Sequence, residues 1–247
     1  MMFFTERSTP GEKLSPRQAY DALAESYDHI PNPMIALERG AMGDLIPPLD
    51  GLTVADLGCG TGRYTARALQ AGARAVYAVD LSVNMLRVTE GRVSPDPRVK
   101  LVHASMENIP LCDGAVDVIL SGLALGYVTS LERAISEMAR LLRVGGAAVL
   151  SDLHPVGTTL GWAREYRMGT NGSSRKIVVD YHPYTFERLF ELFYDCGFAL
   201  ERVHEVPVGD AVGPFVRGLR ERIRVNRLLS VPAVAVFLLR KETERSR

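Results

Sequence analysis

Cysteine is scarce in this chain: Cys59, Cys112 and Cys196 are the only three in 247 residues. An odd number without a pairing pattern points to a reducing compartment rather than a disulfide framework. None lies in a C-x-x-C or a His/Cys cluster, so neither a structural zinc nor any other metal is expected. Net charge is also lacking, with 29 basic residues against 29 acidic ones. A chain without a basic excess is not expected to act on nucleic acid. Long apolar runs are missing too. The longest, LLSVPAVAVFLL (228–239), has a proline inside and is too short to span a bilayer, so no transmembrane segment is expected. The start, MMFFTERSTPGEK, has no apolar core and no cleavage site of a secretory signal. A cytoplasmic protein is the resulting expectation.

What is present is enough apolar material, 47% of the residues, for a full hydrophobic core. The length suits one large α/β domain. Residues 1–16 are polar and proline-marked and read as a loose arm. RQAYDALAESYD (17–28) reads as a helix with Ala19, Leu23, Ala24 and Tyr27 on one face. Strands and helices then alternate. TVADL (53–57), AVYAVD (75–80), VKLVHA (99–104), VDVILSG (116–122) and AAVLSD (147–152) read as strands. Ser82 is an N-cap for a helix to about Glu90, and Thr129 with Glu132 reads as a capping box for the helix ended by Gly145 and Gly146. Five such repeats argue a parallel sheet covered on both faces. WAREYRMGTNGSSRKIVVDY (162–181) carries a hairpin signal at Asn171-Gly172, an antiparallel insertion over the ligand edge. A helix over 185–196 and two last strands, FALERVHEV (198–206) and AVAVFLLRK (233–241), follow. The stretch RGLRERIRVNR (217–227) reads as a solvated helix face, with an acidic acceptor or an anionic surface as sharper alternatives.

The chemistry begins at VADLGCGTG (54–62), a strand end followed by Gly58, Gly60 and Gly62. Ligands of open α/β sheets sit at the carboxyl ends of the strands, at the switch point. Glycines there let the backbone approach a ligand. The second strand ends on Asp80, twenty residues after Gly60, where a carboxylate accepts hydrogen bonds from a ribose diol. Three features argue against a dinucleotide. The spacing is G-x-G-x-G rather than G-x-G-x-x-G. Asp56 lies two residues before Gly58 and would repel a pyrophosphate, whereas it suits a ligand with a cationic end. A Tyr-x-x-x-Lys pair is absent, since none of the nine tyrosines has Lys four places on.

VADLGCGTGRYT (54–65) resembles motif I of the class I S-adenosylmethionine-dependent methyltransferases, and the resemblance extends through AVDLSVNML (78–86), HASMENIPLCDGAVDVILSGLALGYV (103–128) and RLLRVGGAAVLSD (140–152). The nearest branch is that of ubiquinone/menaquinone and other small-molecule methyltransferases. It implies a Rossmann-like, seven-stranded, mostly parallel doubly wound sheet with a small antiparallel insertion after the fifth strand. The chain divides into an N-terminal helical arm or lid (1–50), a cofactor-binding core (51–152), an acceptor-side insertion (153–185), and C-terminal helices with the last two strands (186–247). The resemblance implies S-adenosylmethionine as cofactor and S-adenosylhomocysteine as product. Gly58, Cys59 and Gly60 would pack on the methionine moiety. Asp56 would hold its amino group, directly or through water. Asp80 would take the ribose hydroxyls, and Leu81 and Met85 would flank the adenine. Ser105 stands where the branch usually has Asp, bonding the adenine amino group. Met106 would offer its backbone N–H to the ring, and Ser121 would lie beside the methionine part and the sulfonium. The family often has His where Gly126 stands here.

Methyl transfer from a sulfonium is an in-line displacement, and a general base is needed only if the acceptor must lose a proton. His154 in SDLHP and His182 in YHPYTF are candidate bases, and Tyr20 and Tyr27 are candidates to line the methyl site. The expected reaction is methylation of a small organic acceptor at O, N or C, in secondary metabolism for example. The alternatives are a nucleic-acid or protein methyltransferase, or a module that holds the cofactor without turnover. SGLALGYV stands where nucleic-acid amino-methyltransferases carry an N/D/S-P-P-Y/F element. A homodimer is an open possibility.

Overall fold

The computed structural model describes residues 11–162, 164–168, 175–209 and 228–242. The chain starts with β1 (Glu12–Leu14) and α1 (Pro16–Leu23). Ser15 caps α1 by accepting from the Gln18 N–H, while the Gln18 side chain reaches back to the Ser15 N–H. The helix expected over 17–28 is shorter than the sequence pattern suggests: it ends at Leu23, and a 3-10 turn follows at Tyr27–His29. Asn32 then caps α2 (Pro33–Leu45), with Pro33 at its first turn, where a missing N–H costs nothing.

The central alternation follows: β2 (Thr53–Leu57), α3 (Arg63–Gln70), β3 (Ala75–Asp80), α4 (Val83–Val93), β4 (Val99–His103), β5 (Val116–Gly122), α5 (Leu131–Leu141) and β6 (Leu142–Leu153). The chain continues with the short α6 (Val156–Thr159), β7 (Glu165–Met168), β8 (Arg175–Val179), α7 (Phe186–Asp195), β9 (Phe198–Pro207) and β10 (Pro232–Lys241). Ser82 does cap α4, by accepting from Met85 N–H. The cap of α5 is Ser130, one residue later than expected, because the Thr129 hydroxyl and N–H are both taken by Glu107.

Seven strands form the main sheet in the order β4-β3-β2-β5-β6-β10-β9. The β2, β3, β4, β5 and β6 neighbours pair in parallel, whereas β10 runs antiparallel to both β6 and β9. The order reverses between β2 and β5, which makes their carboxyl ends the switch point. All five residues of β2 are buried. Successive side chains go to opposite faces. Val118 and Leu120 join the core under Met34, Met42 and Leu45 of α2. Ile119 joins the core under Ile135 and Met138 of α5 and Phe193 of α7. Each such side chain, fully buried, contributes roughly 1.5–3 kcal/mol.

The insertion is an antiparallel pair as expected, with Tyr166 opposite Ile177. The residues before Pro16 are not all loose, however. β1 adds to β8 in parallel register, Glu12 opposite Ile177, which makes a separate three-stranded sheet. Three residues are too short a run to signal a strand; a partner 165 positions away supplies the hydrogen bonds. Tyr166, Ile177 and Val179 of this small sheet pack on Ala19 and Leu23 of α1. The Asn171-Gly172 turn and the arginine-rich stretch 217–227 lie outside the described residues.

Candidate active site

β2 delivers the chain into the glycine loop at the switch point. Gly58, Gly60 and Gly62 all have positive φ (67°, 56° and 79°), which only glycine adopts without strain. Two of them also meet crowding: a Cβ on Gly58 would lie 2.7 Å from Ala124 Cβ, and one on Gly62 would lie 2.8 Å from Thr89 of α4. Gly60 meets nothing within 4 Å and borders open space. The loop amides are already used. Gly58 and Cys59 N–H donate to Val79 O (2.8 and 3.0 Å), Gly62 N–H to Cys59 O (2.9 Å), and Gly60 N–H to Asp80 Oδ2 (2.8 Å). These four donors therefore form no cradle for a phosphate, in keeping with the reading from spacing and charge.

Asp80 ends β3 beside this loop. Its other oxygen, Oδ1, accepts from Ser82 N–H at 2.8 Å. Burial raises its pKa, and the backbone donors at Ser82 and Gly60 oppose the shift. A carboxylate has about four lone-pair sites, so both oxygens retain capacity for a diol. Loop and acid face one cavity of about 1030 Å³. Its wall includes Gly58, Cys59, Gly60, Asp80, Leu81 and Met85, together with Ser105 and Met106. Leu81 is exposed and available to a flat ring, whereas Met85 is buried with only an edge at the wall. The Ser105 hydroxyl accepts from Glu107 N–H at 3.2 Å. Cys59 is a packed thiol whose pKa burial pushes up, not a nucleophile.

Several expected site residues fall elsewhere. Asp56 does not line the cavity. It lies fully buried behind the loop, where Oδ2 accepts from the Thr65 hydroxyl at 2.6 Å, and burial lifts its pKa to about 6. Any effect on a cationic ligand is through space. Ser121 is also off the wall: its hydroxyl donates to Leu57 O at 2.9 Å and ties β5 to β2. The wall there is Gly122, Leu123 and Ala124. Leu123 is held at φ 58°, unusual for a side-chain-bearing residue, by Ser151, whose carbonyl and hydroxyl accept from Leu123 N–H at 2.9 and 3.1 Å.

Neither candidate histidine reaches the wall. His154 follows β6, but its backbone N–H bonds Ala233 O of β10, and its ring packs on Phe186 at 4.7 Å with Nε2 on Glu205 Oε1 at 2.7 Å. The added antiparallel strands hold it on the β9 side. His182 is exposed, and its N–H donates to Gly126 O at 2.7 Å. Tyr20 and Tyr27 do line the cavity, and so does His29, which the sequence reading passed over. Where a side chain at 126 would stand, Tyr181 already lies: a Cβ on Gly126 would come within 1.8 Å of its ring.

No local pattern signals the ties between the N-terminal arm and the loops. Asp21 accepts from the Ser82 hydroxyl at 2.6 Å, and Asp28 accepts from the Thr61 hydroxyl at 2.8 Å and pairs with Arg92. Glu38, fully buried on α2, accepts from Arg63 (2.7 Å), the Tyr64 hydroxyl (2.5 Å) and the Ser151 hydroxyl (2.9 Å). A buried carboxylate with three donors is stable where an unpaired one would not be.

Residues 55–150 match the methyltransferase domain family. The malonyl-[acyl-carrier protein] O-methyltransferase of Pectobacterium atrosepticum is 39% identical over 139 residues, 55% of this chain and 52% of that protein. The demethylmenaquinone methyltransferase of Clavibacter sepedonicus is 30% identical over 138 residues, 54% of this chain and 56% of that protein. The chain thus spans about half the length of these curated relatives. Among solved structures, an S-adenosylmethionine dependent methyltransferase from Mesorhizobium loti is 25% identical with a TM-score of 0.67, covering 85% of this chain and all of the other. Residues 55–150 thus match a methyltransferase domain, and the fold is the one shared with S-adenosylmethionine-dependent methyltransferases of class I. S-adenosylmethionine fits the site: the loop offers no phosphate cradle, and the Asp80 carboxylate beside it keeps capacity to accept from a diol.

Proposed function

We propose that the chain transfers the methyl group of S-adenosylmethionine to a small organic acceptor, with the whole chain acting as one catalytic unit. The observation that carries this reading is the shared cavity, walled by the glycine loop and Asp80 on one side and by Tyr20 and Tyr27 on the other. When bound, S-adenosylmethionine supplies a methyl group already activated on a sulfonium. The protein's work is then alignment, which contributes on the order of 7–11 kcal/mol at best. Asp80 anchors the ribose, Leu81 and Met85 border the adenine, and the arm tied down by Asp21 and Asp28 closes the cavity over the reacting atoms. Relatives named for malonyl-[acyl-carrier protein] and demethylmenaquinone support a small acceptor. No helix among the described residues is long and apolar enough to cross a membrane. With balanced charge and no disulfide among the described residues, we place the reaction in the cytoplasm, away from nucleic acid. The test is formation of S-adenosylhomocysteine from S-adenosylmethionine when small-molecule extract fractions are supplied. Product above the level of the Asp80→Ala variant is expected with at least one fraction, and none with any fraction refutes the reading.

A further inference from the structure

At the tyrosine side of the cavity, five elements bring phenols together around one buried guanidinium. Tyr20 comes from α1, Tyr27 and Tyr127 from 3-10 turns, Tyr166 from β7, and Tyr181 from just after β8. Tyr20 stands 5.8 Å from Tyr27 and 5.2 Å from Tyr127, ring centroid to ring centroid, and its hydroxyl lies 3.3 Å from that of Tyr166. Behind them Arg164 is 2% exposed, its guanidinium carbon 5.2 Å from the Tyr127 ring centre and 5.3 Å from that of Tyr181. Nη2 of Arg164 donates to Asp152 Oδ1 at 2.8 Å, and Asp152 also accepts from Leu153 and Gly126 N–H. The carboxylate is therefore spent on the far side, and the cation faces the rings.

Three polar groups around this cluster are buried without a partner in hydrogen-bond geometry among the described residues: Arg164 Nε, the hydroxyl of Tyr184 beside Asp152, and the hydroxyl of Tyr127, the one of the three on a wall residue. A buried unmet donor is costly, and in a native protein such a group is rare and calls for an explanation. Burial also pushes the hydroxyls of Tyr20 and Tyr27 well up, and that of Tyr127 to about 12, so they donate protons in hydrogen bonds and do not remove them.

We propose that Tyr127, flanked by Tyr20 and Tyr27 and backed by Arg164, is an acceptor subsite for a carboxylate, which is methylated on oxygen. The assignment rests on the methyl-transfer reading above. A carboxylate oxygen meets the orphan hydroxyl and the positive field at once. An ammonium would be repelled by Arg164, which already occupies the faces of Tyr127 and Tyr181. No base is needed. A carboxylate lone pair forms the new C–O bond, the methyl's bond to sulfur breaks, and the pair goes to sulfur. The sulfonium's positive charge and the acceptor's negative charge disappear together, leaving a methyl ester and a neutral thioether. This fits a cavity wall that neither His154 nor His182 reaches.

The test loads the full chain with S-adenosylhomocysteine and compares octanoate, octylamine and octanol by saturation-transfer NMR at pH 7.5. Octanoate is expected to bind at least ten-fold tighter than the other two. Tyr127→Phe and Arg164→Gln are each expected to weaken octanoate at least ten-fold while S-adenosylhomocysteine affinity stays within two-fold. Tyr127→Phe removes one oxygen and keeps the ring, so it serves where Arg164→Gln fails to fold. Equal binding of the amine or the alcohol, no binding of octanoate, or a Tyr127→Phe variant with unchanged octanoate affinity overturns the subsite. Failure of S-adenosylhomocysteine itself to load overturns the donor reading instead.

Discussion

Asp56→Asn isolates the energetic effect of a carboxylate held behind the glycine loop. Asp56 is 1% exposed, and its one side-chain donor is the Thr65 hydroxyl at 2.6 Å. Burial is the largest influence on it, and its pKa rises from 3.8 to about 6. The folded state therefore holds the proton more tightly than the unfolded state does. Stability linked to this group is fully present below pH about 4, is lost as pH rises from about 4 to 6, and stays lost above that. A rise of about two units corresponds to roughly 3 kcal/mol at 1.36 kcal/mol per unit. Asparagine keeps the acceptor for Thr65 but never ionises. It also buries an amide NH₂, a pH-independent cost of about 1–3 kcal/mol. The prediction is thus the pH slope of the difference: from pH 4 to pH 8 the variant gains about 3 kcal/mol on the wild type. Urea unfolding at closely spaced pH values measures it. A difference flat with pH, or one that falls between pH 4 and 6, refutes the placement of Asp56 as a desolvated carboxylate.

Other outcomes follow from the same geometry. Gly126→Ala puts a Cβ 1.8 Å from the Tyr181 ring, so chemical denaturation is expected to show a loss of about 1–3 kcal/mol or more from overpacking; unchanged stability contradicts the packing of Tyr181 there. His154→Ala removes a ring outside the cavity wall. Turnover and S-adenosylhomocysteine affinity are expected to stay within two-fold, and a ten-fold fall in turnover returns His154 to the reaction. Leu120→Ala, at a fully buried position of β5, is expected to cost about 2–5 kcal/mol in urea unfolding, and a loss below 1 kcal/mol contradicts the packing of that strand.

The legible parts of the sequence were those governed by local rules. The strands at 53–57, 75–80 and 116–122 appear with the bounds their apolar runs suggest, since each is covered on both faces. Ser82 could be read as a cap because capping is a contact over three residues. The glycine loop and Asp80 were legible because ligand approach and ribose binding impose spacing along the chain. The remainder depended on partners far away in sequence. β1 exists only through β8. Whether His154 faced the cavity was decided by its pairing with β10, and Ser121 was taken by Leu57, 64 positions away. Arg164 and Glu38 carry no local signal of burial; the fold buries them beside Asp152 and beside Arg63 and Tyr64. Tyr20 and Tyr27 line the cavity, and burial raises the pKa of their hydroxyls, which suits donors and not bases.

The most direct test of the central claim is calorimetric titration of the wild-type chain and Asp80→Ala with S-adenosylhomocysteine. Hydrogen bonds to a charged group contribute roughly 1.5–3 kcal/mol each, so losing the two to a ribose diol is expected to weaken binding by a hundred-fold or more. Saturable binding by the wild type with that loss in the variant is the predicted result. No binding by the wild type at millimolar ligand, or equal affinity of the two proteins, would contradict it.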